Sequence, residues 1–519
     1  MSPTPHTTAA VPPLTLPQRD APPVIRTWQR GPGLPWTLAA VFVAMALLPR
    51  VSGNPRLLWS FIGVAAFLAA WTAVLALKAR GLPQCFKVEF ARPIKQHYIQ
   101  STVQSLVYVY WGWYWREVYA QLPLFIAQLL FLYAFDALLS WSRGRSWRLG
   151  FGPFPIILST NLFLWFKDDW FVFQFLLVAV GALGKEFVTW RRDGRLTHIF
   201  NPSAFTLSIF SIVLLATGNT DKTFGIEIAT TIFRPPYIYL EIFLLGLVVQ
   251  YFFAVTLMTF AAAAALCLLN LVYTAYTGVY FFVDTNIAAA VFLGMHLLVT
   301  DPSTSPRTNV GKVIFGAGYG LLIATLFWFL GSIGSPSFYD KLLPVPLLNL
   351  CVPLIDRVAR SGFLGRFTHW ELRFAPRKAN LVHMGCWAAL FTTMLGTGFV
   401  EAPHEGGTIA FWKRAFDEGK PGAGRELVTM LERRKLQDDP AAFNAMGGLL
   451  MDGRVLPRDP AAAASHFARA CELGSSRGCV NVVKLYLSDG QLESQASLGL
   501  AFERLEQECG QPGEGRGDG

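Results

Sequence analysis

The chain has 519 residues, of which 53% are hydrophobic and only 15% are charged, and its mean hydropathy is +0.39. A soluble globular protein cannot cover so much apolar surface, so the composition excludes that class and predicts a membrane protein. The formal net charge of +10 does not indicate nucleic-acid binding, because lysine and arginine stand in short clusters between apolar blocks.

The first 34 residues form a polar segment ahead of the first apolar block. They are rich in proline, threonine and arginine and contain no apolar core. This composition predicts a disordered cytoplasmic leader at residues 1–34 rather than a cleaved signal peptide.

Thirteen apolar blocks follow the leader. Because a bilayer offers no water to backbone groups, each block of about 20 residues predicts a transmembrane helix. The blocks at 152–166 and 342–356 are short, which suits half-helices or re-entrant segments that line a cavity. We therefore predict an all-α polytopic helix bundle of about 11 to 13 spans over residues 35–400. The blocks are 35–49, 57–77, 98–115, 122–141, 152–166, 170–189, 199–217, 237–255, 257–277, 281–300, 312–333, 342–356 and 379–400.

Basic residues alternate between the loops and give an orientation. The loops richest in lysine and arginine are expected in the cytoplasm. This places the N-terminus in the cytoplasm, the connection 218–236 on the outer face, and residues after 400 in the periplasm of a bacterial inner membrane. The basic clusters lie at 78–95, 143–148, 185–195, 307–312 and 357–378.

An ionisable side chain inside an apolar block is costly and marks either function or a helix end, and five of them are candidates. Asp136 lies deep in its block, whereas Glu241, Asp284 and Asp356 lie near block ends and suit residues that meet water. His296 fits a hydrogen-bonded core residue, or a haem ligand that would need a second, correctly spaced ligand.

Two proline-containing strings are more specific than helix capping requires. FNPSAF begins one block at 200–205, and TDPSTSPRTNVGKVIFG links two blocks at 300–316. Asparagine or aspartate before proline caps a helix start. Together with PLLNLCVPLIDR at 346–357, these strings make the segment from about 198 to 357 resemble the RnfD/NqrB family of membrane proteins.

The resemblance implies a membrane subunit of a flavin-dependent electron-transport complex that couples electron relay to cation translocation, with other subunits as partners. Whether this chain is itself the oxidoreductase or translocase stays open. Members carry FMN on a threonine of an S-G-A-T type motif in an outer loop. The corresponding residues here are Glu227, Ile228, Ala229 and Thr230. Ala229 and Thr230 match the motif, and the serine and glycine are replaced.

The resemblance therefore makes Thr230 the candidate for covalent FMN, with non-covalent FMN and a second flavin such as riboflavin as further expectations. Asp136 and Asp284 are candidate acidic groups of a cation path. No metal site is predicted. The stretch YVYWGWYW at 108–115 suits either a wall beside a ring system or an interfacial aromatic belt. Further candidate cofactor-binding residues are Ala229, Asn201, Thr300, Asp301, Thr304 and Ser305.

The segment 401–519 has a different composition and an internal repeat. AMGGLLMDG at 445–453 and CVNVVKLYLSDG at 479–490 end in Asp-Gly turns 37 residues apart. From about 409 to 511 the segment resembles the SEL-like branch of tetratricopeptide-type solenoids, which implies binding of a protein partner. In the cysteine-rich members, residues placed as Cys471 and Cys479 form a disulfide, which requires an oxidising compartment.

Two other interpretations stay open. One is a transporter or membrane scaffold derived from the same family that has lost its flavin. The other is an assembly protein whose outer repeats recruit a partner to the membrane. A flavin absorption spectrum distinguishes the electron-transport subunit from both.

Overall fold

The computed structural model describes residues 24–29, 33–79, 86–192, 194–283, 285–362, 364–366, 376–435, 438–489 and 495–509. Asp284 and most of the predicted leader lie outside the described residues. The chain divides into two compact units, one of residues up to 266 with 289–393 and one of 267–288 with 394–519.

The first unit is built from helices, and the predicted all-α class is confirmed. In chain order they are α1 (Gly33–Met45), α2 (Pro49–Ser52), α3 (Pro55–Lys78), α4 (Lys95–Tyr114), α5 (Glu117–Ala120), α6 (Leu122–Ser142), α7 (Pro153–Asn161), α8 (Val172–Phe187), α9 (Pro202–Thr217), α10 (Gly225–Thr231), α11 (Ile238–Phe253), α12 (Thr256–Thr277), α13 (Ala289–Leu297), α14 (Asn309–Ser332), α15 (Pro344–Arg360) and α16 (Pro376–Gly396). α12 runs across the boundary between the units.

The helices include membrane-crossing segments. Among the described residues, five helical segments are long and apolar enough to span a bilayer: α3, α6, α12, α14 and Phe338–Arg360, which contains α15. α1, α9 and α11 are apolar but shorter. A helix lies in every predicted block, so the chain is a multi-pass membrane protein.

Two details of the predicted spans differ in the structure. The block at 342–356, expected to suit a half-helix, belongs to a helical segment of 23 residues. Among its described residues, the block at 281–300 contains as helix only the nine residues of α13. The block at 152–166 contains only α7, also of nine residues.

In the described part of the first unit there are also five short strands. β1 (Val24–Gln29) pairs antiparallel with β2 (Lys87–Ala91), which pairs parallel with β3 (Trp147–Leu149). β4 (Thr189–Arg192) and β5 (Arg195–His198) form a hairpin. Residues 24–29 thus differ from the disordered leader expected there, since the sequence VIRTWQ is rich in residues that favour strands.

Three of the predicted basic clusters meet at one end of the first unit. Arg145 lies 2.7 Å from Glu186, and Arg192 lies 2.8 Å from Asp356. The backbone N–H of Arg307 donates to Asp356 Oδ1 at 3.0 Å. We call this the basic end.

The opposite end is marked by another ion-pair group. Arg50 lies 2.9 Å from Asp168 and 3.1 Å from Glu117. α8 has 16 residues between these two ends, which corresponds to about 24 Å of helix. We call the second end the Arg50 end.

A cluster of three amides lies in the interior and joins α6, α7 and α8. Gln128, Asn161 and Gln174 are completely buried. Asn161 Nδ2 donates to Gln128 Oε1 at 2.8 Å, and Gln174 Nε2 donates to the same oxygen at 3.0 Å. Gln174 Oε1 accepts from the backbone N–H of Phe166 at 2.9 Å. The cluster therefore supplies a hydrogen-bond partner to a backbone group that lies beyond the end of α7, inside the bundle.

The second unit contains the helices of the tail: α17 (Ile409–Asp417), α18 (Ala423–Lys435), α19 (Pro440–Asp452), α20 (Pro460–Glu472), α21 (Ser476–Asp489) and α22 (Gln495–Cys509). Each packs mainly on its neighbours in sequence. Asn481 in α21 donates to Asn444 in α19 at 2.8 Å. These residues are 37 positions apart, the period of the predicted repeat.

Two cysteines of the tail link consecutive helices. Cys471 lies at the end of α20 and Cys479 in the first turn of α21, and the structure joins them by a disulfide. Both side chains are buried, together with Phe467, Val482 and Ala501. The disulfide is therefore part of the apolar core of the last helices.

We predict that changing both Cys471 and Cys479 to Ser lowers the unfolding free energy of the tail by about 2.5 kcal/mol, because the bridge closes a loop of 8 residues. Thermal unfolding followed by limited proteolysis of the tail measures the effect. The matched control is Cys386→Ser, which changes an exposed thiol of the first unit. Free thiols at both positions in protein from native membranes, by unreduced peptide mass spectrometry, contradict the pairing.

Candidate functional site

Asn201 organises the start of α9 at the basic end. Its Oδ1 accepts from the backbone N–H groups of Ser203 at 3.0 Å and Ala204 at 3.2 Å. Its Nδ2 donates to the carbonyl of Leu298 at 3.2 Å, just beyond α13. The Asn-Pro string thus caps one helix and also holds the end of another.

Asp301 is the centre of the neighbouring loop. Its Oδ1 accepts from the backbone N–H of Ser303 at 2.9 Å and from Ser303 Oγ at 2.5 Å. His198 Nε2 lies 3.8 Å from Asp301 Oδ2, and Thr304 Oγ1 donates to the same oxygen at 3.3 Å. Burial by itself raises the pKa of Asp301, but the His198 contacts and the Ser303 hydrogen bonds outweigh it and lower the pKa to about 2.

Asn349, from α15, ties this loop to Asn201. Its Nδ2 donates to the carbonyl of Thr304 at 3.0 Å, and its Oδ1 accepts from the backbone N–H of Asn201 at 3.1 Å. Thr300 Oγ1 donates to the carbonyl of His296 at 2.8 Å. Arg192 donates to the carbonyl of Ser305 at 3.1 Å. Five predicted residues are thus brought together by contacts within the protein.

Thr230 lies at the Arg50 end, on α10. The side chain is exposed, and its hydroxyl donates to the carbonyls of Ile226 at 3.0 Å and Glu227 at 3.2 Å. Ile228 is buried within the same helix. The residue in the place of the motif's glycine therefore has ordinary helical backbone, and Ala229 is half-buried beside it.

Lys167 supplies positive charge beside Glu227, which lies three residues before Thr230. Its Nζ lies 3.5 Å from a carboxylate oxygen of Glu227, and both side chains are about two-fifths exposed, at 40% and 42%. Nζ also lies 5.7 Å from the ring centroid of Phe224. The backbone of Lys167 donates to the carbonyl of Lys222 at 3.0 Å. The cation is therefore fixed next to the start of α10.

Four rings pack beside α10 and are called here the aromatic cluster: Trp111, Trp115, Trp165 and Phe224. Trp115 and Trp165 are stacked, with centroids 5.6 Å apart and planes 13° apart. Phe224 lies 6.3 Å from Trp115 and 6.0 Å from Trp165. Trp111 Nε1 donates to Thr231 Oγ1 at 3.2 Å. Trp165 is completely buried, and its Nε1 has no partner among the described residues.

The predicted cofactor-binding residues therefore occupy two places. Asn201, Thr300, Asp301, Thr304 and Ser305 lie at the basic end, whereas Ala229 and Thr230 lie at the Arg50 end. α9 runs between them, and its 16 residues correspond to about 24 Å. A single flavin cannot contact both groups.

Of the two candidate ion-path residues, only Asp136 is described. It is half-buried in α6 and accepts from Trp147 Nε1 at 3.1 Å, near the basic end. Asp284 lies outside the described residues.

His296 is completely buried among aromatic rings. Its Nδ1 lies 2.7 Å from the carbonyl of Phe292, and the ring centroid of Trp387 is 5.9 Å away. In the described part of the chain, no group of three or more His, Cys, Asp or Glu side chains is placed to hold a metal ion. The surroundings favour a packed core histidine.

Sequence reasoning does not single out Lys167, Trp165, Arg192 or Asn349. The pairs they form are long-range, such as Arg192 with Asp356 at 164 positions of separation. The aromatic stretch at 108–115 is the signal that points toward this region, since it contains Trp111 and Trp115.

Residues 198–365 match the model of the NQR2, RnfD, RnfE family. Over 80 residues, the chain is 38% identical to the D subunit of the ion-translocating oxidoreductase complex of Cronobacter sakazakii. It is 39% identical to the same subunit of Citrobacter koseri and of Escherichia coli K12. The matched stretch is 15% of this chain and 21% of each relative, so the chain spans about a fifth of the length of these relatives. No solved structure matches the chain.

We predict that Asp301→Asn destabilises the basic-end loop by on the order of 2 kcal/mol at pH 7, because the carboxylate has a lowered pKa in the folded protein. A lowered folded-state pKa contributes stability above the unfolded value near 4, and this contribution is lost as the pH falls toward 2. The thermal midpoints of the variant and the unchanged protein in detergent should therefore differ most above about pH 4 and converge in stronger acid.

The matched control is Asp221→Asn, which removes an exposed carboxylate at the Arg50 end. Its midpoint should stay close to that of the unchanged protein. An Asp301→Asn midpoint that also stays unchanged at neutral pH shows that the loop does not depend on the charge.

Proposed function

We propose that this protein is a membrane subunit of a flavin-dependent, ion-translocating electron-transport complex, with FMN carried on Thr230. The observation that carries the proposal is an exposed threonine on a short helix whose neighbouring residues, Glu227 and Thr231, contact a lysine and the aromatic cluster. The similarity of residues 198–365 to the NQR2, RnfD, RnfE family supports the class of complex.

The residues around Thr230 fit the chemistry of a phosphodiester. Glu227, one turn before Thr230, repels a phosphate, but Lys167 lies 3.5 Å from it and offsets the negative charge. Both groups are partly exposed, so solvent screens the remaining repulsion. Ile228 in the place of glycine is accommodated by the helical backbone of α10. The departure from the motif therefore does not block the site.

The roles of the residues follow from these positions. Thr230 is the attachment point, Lys167 is the counter-charge for the phosphate, and Trp111 fixes α10 through its hydrogen bond to Thr231. A bound flavin supplies the electron chemistry, while the protein sets its position and electrostatic surroundings.

The orientation of the protein follows from charge. Arg145, Arg192 and Arg307 are gathered at the basic end, which the positive-inside rule places in the cytoplasm of a bacterial inner membrane. Thr230 then faces the outer compartment. We place the tail in the same compartment, where its disulfide is stable and its SEL-like repeats bind a protein partner.

Asp136 is our candidate acidic group for the cation path, with Asp284 as the second. Asp136 is held by Trp147 at the cytoplasmic end of α6, where a cation would enter or leave the bundle. Asn201 and the loop from Thr300 to Ser305 are candidates for contact with a second flavin at the same end.

We predict that Thr230→Val abolishes covalently bound flavin, because valine has the shape of threonine without the hydroxyl that forms the ester. Ultraviolet fluorescence of the denatured protein on a gel measures the attachment. Thr230→Ser keeps a hydroxyl and should retain fluorescence. Thr217→Val is the matched control, because Thr217 is another exposed threonine whose hydroxyl donates to a carbonyl of its own helix, that of Val213 at 2.7 Å. Fluorescence that survives Thr230→Val assigns the flavin to another residue. A colourless unchanged protein instead favours the flavin-free scaffold.

We predict that alkaline phosphatase fused after residue 400 is active and that the same enzyme fused in the basic segment between α15 and α16 is inactive, since phosphatase requires the periplasm. A green fluorescent protein at each position should give the reverse pattern. Strong fluorescence of the fusion after residue 400 would contradict the outer location of the tail.

A further inference from the structure

We propose that the aromatic cluster is the stacking surface for the isoalloxazine ring of the flavin attached to Thr230. This inference rests on the proposed function and adds the residues that hold the ring. In this proposal Trp115 and Phe224 contact the ring directly, and Trp165 Nε1 donates a hydrogen bond to it.

The distance along the chain suits a tethered ring. Phe224 precedes Thr230 by six residues, and α10 begins directly after Phe224, so the two residues are separated by about 9 Å of helix rise. The ribityl chain and phosphate of FMN span a comparable length. A flavin anchored on Thr230 therefore reaches the rings at the start of the same helix.

The cluster has a buried layer and an outer layer. Trp111 and Trp165 are completely buried, whereas Trp115 and Phe224 are half-buried. Trp165 packs nearly parallel to Trp115, with centroids 5.6 Å apart. The outer layer thus presents ring surface that is held rigidly by the buried layer, as a stacking partner requires.

The end of α4 separates cluster residues from a membrane-belt residue. Trp111 lies in α4 and Trp115 directly follows its last residue, and their ring centroids are 5.2 Å apart. Trp113 lies on another face of α4 and is 64% exposed, as an interfacial belt residue should be. The stretch at 108–115 therefore contains both of the features that its sequence suggested, cluster residues and a belt residue.

The polar groups beside the cluster also match a flavin. Trp165 Nε1 is a buried donor without a partner in the described structure, and such a group is costly to leave unpaired. The carbonyl oxygens at the edge of an isoalloxazine ring are hydrogen-bond acceptors, and one of them would pair with Trp165 Nε1. Lys167 lies over Phe224 and beside Glu227, which places positive charge between the rings and the attachment point.

Flavin fluorescence of the native protein tests the proposal, because an indole stacked on an isoalloxazine quenches its emission. We expect emission that rises several-fold when the full-length protein is denatured. Trp115→Leu should raise the native emission to nearly the denatured level with the flavin still attached. Trp165→Phe keeps an aromatic ring and removes the donor, so it should keep the quenching and shift the visible absorption band.

Trp113→Leu is the matched control on the same helix, and it should leave emission and absorption unchanged. Native emission that already equals the denatured emission, or quenching that survives Trp115→Leu, overturns the stacking assignment while the flavin on Thr230 stands. Absence of flavin from the denatured protein overturns the proposed function and this inference together.

Discussion

The hydrogen bonds among Gln128, Asn161 and Gln174 are the interaction on which the Arg50 end depends. In a bilayer, backbone that leaves a helix must find partners within the protein. α7 ends at Asn161, and the chain continues through buried, non-helical residues 162–166. Gln174 bonds the backbone of Phe166. Without these amides, ending α7 in the membrane would leave polar groups unpaired.

The non-helical segment after α7 brings distant residues together. Phe166 forms a bridge with Thr223, and the carbonyl of Trp165 accepts from the backbone N–H of Phe224 at 2.9 Å. These contacts dock the segment against the start of α10. As a result, Trp165 enters the aromatic cluster and Lys167 reaches Glu227. If α7 continued as a helix, successive side chains would point in different directions around its axis, and Trp165 and Lys167 would not both lie against α10.

The sequence predicted the features that depend on composition and local pattern. Apolar blocks located a helix in each of thirteen places, and the all-α class followed. Short helices such as α13 are harder to predict from sequence, because the average hydropathy of an apolar block does not show where the helix inside it begins and ends. The loop around Asp301 was recognisable as a motif, whereas its dependence on His198 and Asn349 was not, since these residues come from β5 and α15. The disulfide between Cys471 and Cys479 was suggested by resemblance, because spacing alone does not determine pairing.

The changed attachment motif is best understood together with Lys167. Glu227 places a carboxylate where the family has a serine, and an isolated carboxylate would oppose a phosphate on Thr230. In the structure that carboxylate already has a cationic partner, and the partner's position is set by the unwound segment after α7. Glu227 and Lys167 therefore act together as one ion pair. In our proposal, the exposure of the Thr230 side chain on α10 is what makes its hydroxyl available for attachment.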